Sequence, residues 1–186
     1  MLETEIKNPY TKSELLYSLK DITQKVETYY NSLAPQIFFN DNLGGWSPAQ
    51  NLSHITFIAA IAATLFKLPR FLLIPLGKPS NGKDFITTKN IYIGAEKPIY
   101  IGPLAPTEIQ HPPQPGLVVQ KMISEWRAKN FELYEVLEQI PEKDFDEYTT
   151  PHPSLGLISL REMIYVLIIH PIHHTYKVQK KVANLV

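Results

Sequence analysis

Three features of the sequence predict an all-α fold, a four-helix bundle with a long Pro-rich crossover connection between helices two and three. Four segments place apolar residues at alternating steps of three and four, the signature of one buried helical face. Three of them open on a capping pattern, a Ser or Thr followed three residues later by Glu or Gln. Nine of the 16 prolines fall between Pro69 and Pro115, where helical periodicity fades. At 186 residues the chain reads as a single domain, 1–186, within the usual range of about 100–200 residues per domain.

The first helix carries Leu15, Leu19, Ile22, Val26, Tyr29 and Leu33 on one stripe, with Lys20, Lys25 and Glu27 off it. Thr11 and Glu14 form its capping box, and Pro35 follows its end. The second opens at Ser47, with Pro48 suited to the first helical position and Gln50 placed to reach back. It continues through Leu52, Ile55, Ile58, Ala59, Ala62 and Phe66 to about Leu68. It is apolar on most sides, as a central element should be. The third spans about Leu117–Ile140, with Met122, Trp126, Leu133, Leu137 and Ile140 on one face. Lys121, Glu125, Lys129 and Glu132 provide opposite charges at helical spacing. The fourth starts at Ser159 and Glu162 and runs through Met163, Val166, Leu167 and His170 toward Val178 and Val182. Between the second and third, 67–115 is too long for a tight turn. A short helix near Phe71 and extended pieces near Ile91–Ile93 and Ile99–Ile101 are expected there.

Composition narrows the function. Lys+Arg and Asp+Glu are both 18, so the basic excess that phosphate recognition needs is missing and nucleic acid is not an expected partner. The chain has no cysteine, which removes disulfides, thiolate nucleophiles, iron–sulfur chemistry and Cys-based zinc sites; a metal would be held by His, Asp or Glu. Met1–Tyr10 carries Glu3 and Glu5 with no apolar core, unlike a signal peptide. The apolar run Ile55–Phe66 is short of the ~20 residues that cross a bilayer. A soluble, cytoplasmic protein without membrane contact is expected. With 19% charged residues, its helix faces leave scope for a homodimer.

The six histidines are the most informative residues. His170 and His174, four apart, put both imidazoles on one helical face, the spacing by which a helix offers two ligands to one metal ion. His54, on the apolar second helix, can supply a third nitrogen across the core. Three neutral imidazoles leave a divalent cation's charge uncancelled and coordination positions open, the composition of a catalytic site more than of a closed structural one. Such a set suits zinc or nickel and admits iron or manganese. His173 lies on another face, His111 sits in a proline-rich loop, and His152 precedes Pro153 in the turn before the last helix; structural roles are expected for all three. Lys177, Lys180 and Lys181 complement the helix dipole at that helix's end. A zinc-protease reading fails, because the general-base Glu that follows the first His of that motif is here Pro171. Pro171 lacks an N–H and clashes with the Leu167 carbonyl, so a kink or break beside the two ligands is expected. Glu162, two turns before His170, could face the cavity, Asn51, one turn before His54, could hydrogen-bond a ligand or water, and Tyr165 could lend a hydroxyl; capping, a polar boundary position and packing are the readings set against these. No catalytic or cofactor-binding residue is assigned.

The segments Trp46-Ser47-Pro48-Ala49-Gln50-Asn51-Leu52-Ser53-His54-Ile55, His152-Pro153-Ser154-Leu155-Gly156-Leu157-Ile158-Ser159 and His170-Pro171-Ile172-His173-His174-Thr175-Tyr176-Lys177-Val178 resemble, in order and spacing, the signatures of the DinB superfamily. The resemblance implies a four-helix bundle with a metal on His54, His170 and His174, and His173 as the non-ligand neighbour. Gln50 stands where the family usually has an acidic residue and Lys177 where it usually has Gln, departures that bear on substrate preference. Family members similar to this chain include thiol transferases using bacillithiol or mycothiol, a mycothiol-dependent maleylpyruvate isomerase, and hydrolase-like proteins. A metal-dependent thiol S-transferase or hydrolase acting on a small molecule, with a low-molecular-weight thiol as possible co-substrate, is therefore expected. The alternative is a non-catalytic metal-binding or stress-response bundle.

Overall fold

The computed structural model describes residues 7–42, 44–79, 82–94 and 112–185. Among these the chain is predominantly helical, and each of the four long helices lies where its caps and periodicity place it. Helix α1 is Lys12–Asn31. Its capping box is formed, with the Glu14 N–H donating to Thr11 Oγ1 at 3.3 Å and the Thr11 N–H donating to Glu14 Oε2 at 2.9 Å. Leu15, Leu19, Ile22 and Val26 are buried as expected, Tyr29 and Leu33 pack partly buried against the same core, and Tyr30 joins them fully buried; the helix itself ends at Asn31. A single turn, α2 (Pro35–Phe38), buries Phe38 and turns the chain toward α3 (Pro48–Lys67).

Helix α3 starts from the Ser47–Gln50 capping box with Pro48 in the first turn. With 20 residues and a mean hydropathy of 1.3, α3 is long and apolar enough to cross a bilayer, which the shorter count from Ile55 did not register. Here its Leu52, Ile55, Ala59, Ala63 and Phe66 enter the common core, and the small alanines suit close helix approach. After α3 the chain makes two 3-10 turns, Arg70–Leu72 and Ile74–Leu76, matching the short helix expected near Phe71.

The next element departs from the sequence reading. Ile91–Ile93 is not extended: it ends helix α4 (Phe85–Gly94). β-branched residues favour strands only weakly and in context. Asp84 outweighs them, its carboxylate accepting the Thr87 N–H at 2.8 Å and so satisfying a first-turn donor. Phe85 then docks edge-to-face on Tyr165, ring centroids 5.5 Å apart. The piece expected near Ile99–Ile101, and His111, lie outside the described residues.

Helix α5 (Pro115–Gln139) packs along α3 and α1. Its Trp126 is buried and donates its Nε1–H to the Thr23 carbonyl of α1 at 3.0 Å. A one-turn helix, α6 (Asp144–Glu147), leads into an antiparallel hairpin, β1 (Thr149–His152) and β2 (Gly156–Ser159), where only a turn was expected. Thr149 pairs with Ser159 and His152 with Gly156, and Gly156 occupies φ +72°, a conformation that side chains disfavour.

Helix α7 (Leu160–Ala183) begins on the Ser159–Glu162 capping box. The break anticipated at Pro171 does not occur: α7 runs through it. Pro171 is buried and lines one small cavity with Ile55 of α3 and Trp126 of α5, so the residue lacking an N–H sits where the helix faces its neighbours. Because Ser159 ends β2 as well as capping α7, Ser159→Ala should lower stability by about 1 kcal/mol. A thermal melt or urea titration reads this; an unchanged midpoint would show that the cap is redundant with the hairpin.

Candidate metal centre

The Ser47 cap fixes where α3 begins and so sets the rotation of His54, two turns on. The continuous α7 brings His170 and His174 to the same depth, on either side of Pro171 in sequence but on one face. Side-chain nitrogens of the three residues lie within 4.8 Å of one another. His54 Nε2 and His170 Nε2 are 3.1 Å apart, close to the about 3.3 Å spanned by two donors each 2.0–2.1 Å from one tetrahedral ion. The rings are crowded without stacking on each other: His54–His170 centroids are 5.0 Å apart at 90°, and His170–His174 centroids 4.6 Å apart at 81°. Neutral nitrogen donors converging this way fit a divalent cation of the zinc type.

Electrostatics keeps the donors available. Burial, reinforced by the neighbouring His54, His173, His152 and Lys177, holds His170 well below the usual imidazole range. His174 is depressed in the same way, by burial first and then by His170 and His54. Both are therefore neutral near pH 7, the form that binds metal. No carboxylate is among the charges acting on either ring.

The walls come from three places. Trp46, just before the α3 cap, stacks on His174 at 13° with centroids 5.9 Å apart and lies 5.0 Å from His54. Asn51, one turn before His54 and 4% exposed, faces His174, with its Oδ1 2.8 Å from Nδ1. Tyr92 of α4 approaches His170 at 6.2 Å and His152 at 5.9 Å. Behind His170 a cavity of about 10 Å³, room for one water, is closed by Ile55, Trp126 and Leu167. A larger groove of about 200 Å³ lies between α1 and α5 around Leu19 and Phe131, away from the histidines.

The remaining residues singled out by sequence divide cleanly. His173 is outside the nitrogen cluster, its ring 5.6 Å from that of His174. His152 keeps a structural role, its Nδ1 accepting the Ser154 N–H at 3.2 Å. Glu162 is a cap: Oε2 accepts the Ser159 N–H at 2.8 Å and Oε1 accepts from Lys83 Nζ at 3.0 Å. Burial alone would raise its pKa, but the Ser159 N–H and Lys83 outweigh that and hold it below the usual carboxylate range. Tyr165 is a core residue, its hydroxyl pushed up to about 12 by burial. Lys180 lies over the Tyr176 ring, 4.7 Å from its centroid. Lys181 does more than complement the dipole, donating from Nζ to the Trp46 carbonyl at 3.3 Å and so tying the end of α7 to the Trp46 loop. Sequence reading passed over Trp46 and Tyr92 as site residues. Trp46 carried a signal, its place eight residues before His54 at the helix entry; Tyr92 carried none once its segment was read as a strand.

A family model described as the DinB superfamily matches residues 34–177, a span that includes all three converging histidines. No curated protein and no solved structure matches the chain.

Proposed function

The chain belongs to the DinB superfamily, and from that membership we propose a metal-dependent enzyme of the thiol S-transferase or hydrolase type, built as a single-domain four-helix bundle. The observation that carries the reading is the convergence of His54, His170 and His174, whose side-chain nitrogens lie within 4.8 Å of one another. A divalent cation held there supplies Lewis acidity and lowers the pKa of a water or thiol that it binds. The protein's own residues hold and shape the site. Trp46 and Tyr92 would flank a small substrate, and the buried wall at Ile55 and Leu167 excludes bulk water behind it.

The charge pattern supports an anionic group on that substrate. Lys177 follows His174 by three residues, hence on the same face of α7, and its charge acts on both His170 and His174. A thiolate, or a carboxylate carried by a small thiol, would meet a cationic field there. Lys177→Gln is expected to raise KM for an anionic thiol several-fold while changing kcat less, since the contact is made in ground and transition state alike. Equal KM for the two proteins would remove the anion from the reading.

Element-resolved analysis of freshly purified protein, followed by a panel of small thiols and electrophiles, tests the whole proposal. About one zinc, nickel, iron or manganese per chain with turnover supports it. Stoichiometric metal without turnover across the panel leaves the non-catalytic bundle, and no bound metal from any reconstitution overturns both. A homodimer through helix faces belongs to the same proposal, supported by exposed Phe57 and Ile61 one turn apart on α3. Sedimentation of a 21.3 kDa particle at micromolar concentration would remove it.

A further inference from the structure

We propose that Asn51 is the positioning residue of this centre: it fixes His174 in the Nδ1–H tautomer and thereby commits Nε2 as the donor atom. The inference rests on the metal reading for its purpose, but its geometry stands alone. Asn51 Nδ2 lies 2.9 Å from the Ser47 carbonyl and 3.2 Å from the Trp46 carbonyl. Both partners are acceptors only, so the amide must turn its NH2 toward them. Reversing it would set its oxygen against two carbonyl oxygens in a buried place. With the NH2 so committed, Oδ1 is the atom facing His174 Nδ1 at 2.8 Å. An oxygen there can only accept, so Nδ1 carries the proton and the lone pair sits on Nε2.

The carbonyls that orient Asn51 are themselves anchored. The Ser47 carbonyl also accepts the Asn51 N–H at 3.0 Å, the first bond of α3. The Trp46 carbonyl also accepts from Lys181 at 3.3 Å. The helix start, the Trp46 loop and the end of α7 thus converge on one amide. Outer partners of this kind hold a ligating imidazole's tautomer and ring orientation. His54 and His170 differ. Their facing Nε2 atoms at 3.1 Å share a proton in the metal-free protein, so one of them must change tautomer before both can donate.

Long-range 1H–15N correlation of the histidine side chains in metal-free protein reads the tautomer directly, and zinc titration reads its consequence. In the unsubstituted protein His174 should be Nδ1–H. In Asn51→Leu that preference should be lost, with zinc affinity falling about 10–100-fold at an otherwise folded protein. Asn51→Asp keeps an acceptor toward Nδ1 but sets its second oxygen against the Ser47 and Trp46 carbonyls, so it should retain the Nδ1–H form while lowering the thermal midpoint. A His174 found as Nε2–H in the unsubstituted protein, or Asn51→Leu with unchanged tautomer and affinity, overturns the proposal. Failure of the unsubstituted protein to bind zinc while His174 remains Nδ1–H overturns the metal reading and leaves the tautomer assignment standing.

Discussion

His170→Ala should weaken divalent-metal binding by at least a hundredfold. A structural zinc site of four ligands is worth roughly 10–16 kcal/mol, or about 2.5–4 kcal/mol per ligand, which converts to about two to three powers of ten in affinity. His170 is the sharpest of the three tests because it is the most deeply buried, at 6% exposed, and makes the 3.1 Å approach to His54. In the metal-free protein that approach is a hydrogen bond between the two rings, and a cation would take the place of the shared proton. His54→Ala and His174→Ala should follow the same direction. His173→Ala is the control: one residue from His174, outside the nitrogen cluster, it should bind metal within about twofold of the parent. Calorimetric titration of metal-free protein separates these outcomes. Wild-type affinity in His170→Ala, or an equal loss in His173→Ala, would mean that the metal is held elsewhere.

How far the sequence foretells this molecule depends on the range of the interactions involved. The starts of α1, α3 and α7 are legible because a capping box is written within four residues, and all three boxes form. The converging histidines are legible for a similar reason. His170 and His174 share a face by helical period alone, and His54 needs only α3 and α7 to be neighbours. Whatever depends on a distant partner is not legible. Ile91–Ile93 reads as a strand until Asp84 and the packing of Phe85 on Tyr165 are known. Pro171 reads as a kink or break until it is seen buried within a continuous α7 that faces α3 and α5. Asn51 is legible as a polar residue one turn before His54 that could bond a ligand or sit at a boundary; that its partner is His174, 123 positions away, is not. Tyr30, four residues after Val26, is the more deeply buried of the two adjacent tyrosines because its ring meets Phe38 of α2, a partner the helical period does not name.

The same distinction makes Asp146→Ala more damaging than Arg161→Met. In sequence Arg161 is an ordinary charge in a helix's first turn, yet it is 4% exposed because Tyr10, α6 and the start of α7 close over it. Its Nε and Nη2 donate to Asp146 Oδ1 and Oδ2, each at 2.6 Å, and Nη1 donates to the Tyr10 carbonyl. The guanidinium also lies over the rings of Tyr10 and Phe145, 4.2 and 5.7 Å from their centroids. Asp146 is itself half exposed. Removing it leaves a buried cation whose nearest remaining carboxylate is Glu142 at 3.9 Å. Stranding a buried charge costs about 3–5 kcal/mol, and Glu142 brings this toward the lower end, about 3 kcal/mol. For a chain of this size that is roughly 6–12 °C in Tm. Arg161→Met instead removes the charge, keeps most of the volume against Phe145 and lets Asp146 return to water, so about 1–2 kcal/mol is expected. Chemical denaturation of both variants decides the matter. If Arg161→Met is the more destabilised, the cluster contributes through the guanidinium's hydrogen bonds and ring contacts, not through charge compensation. The stated order would establish that the N-terminus and α6 are held to α7 by one compensated charge.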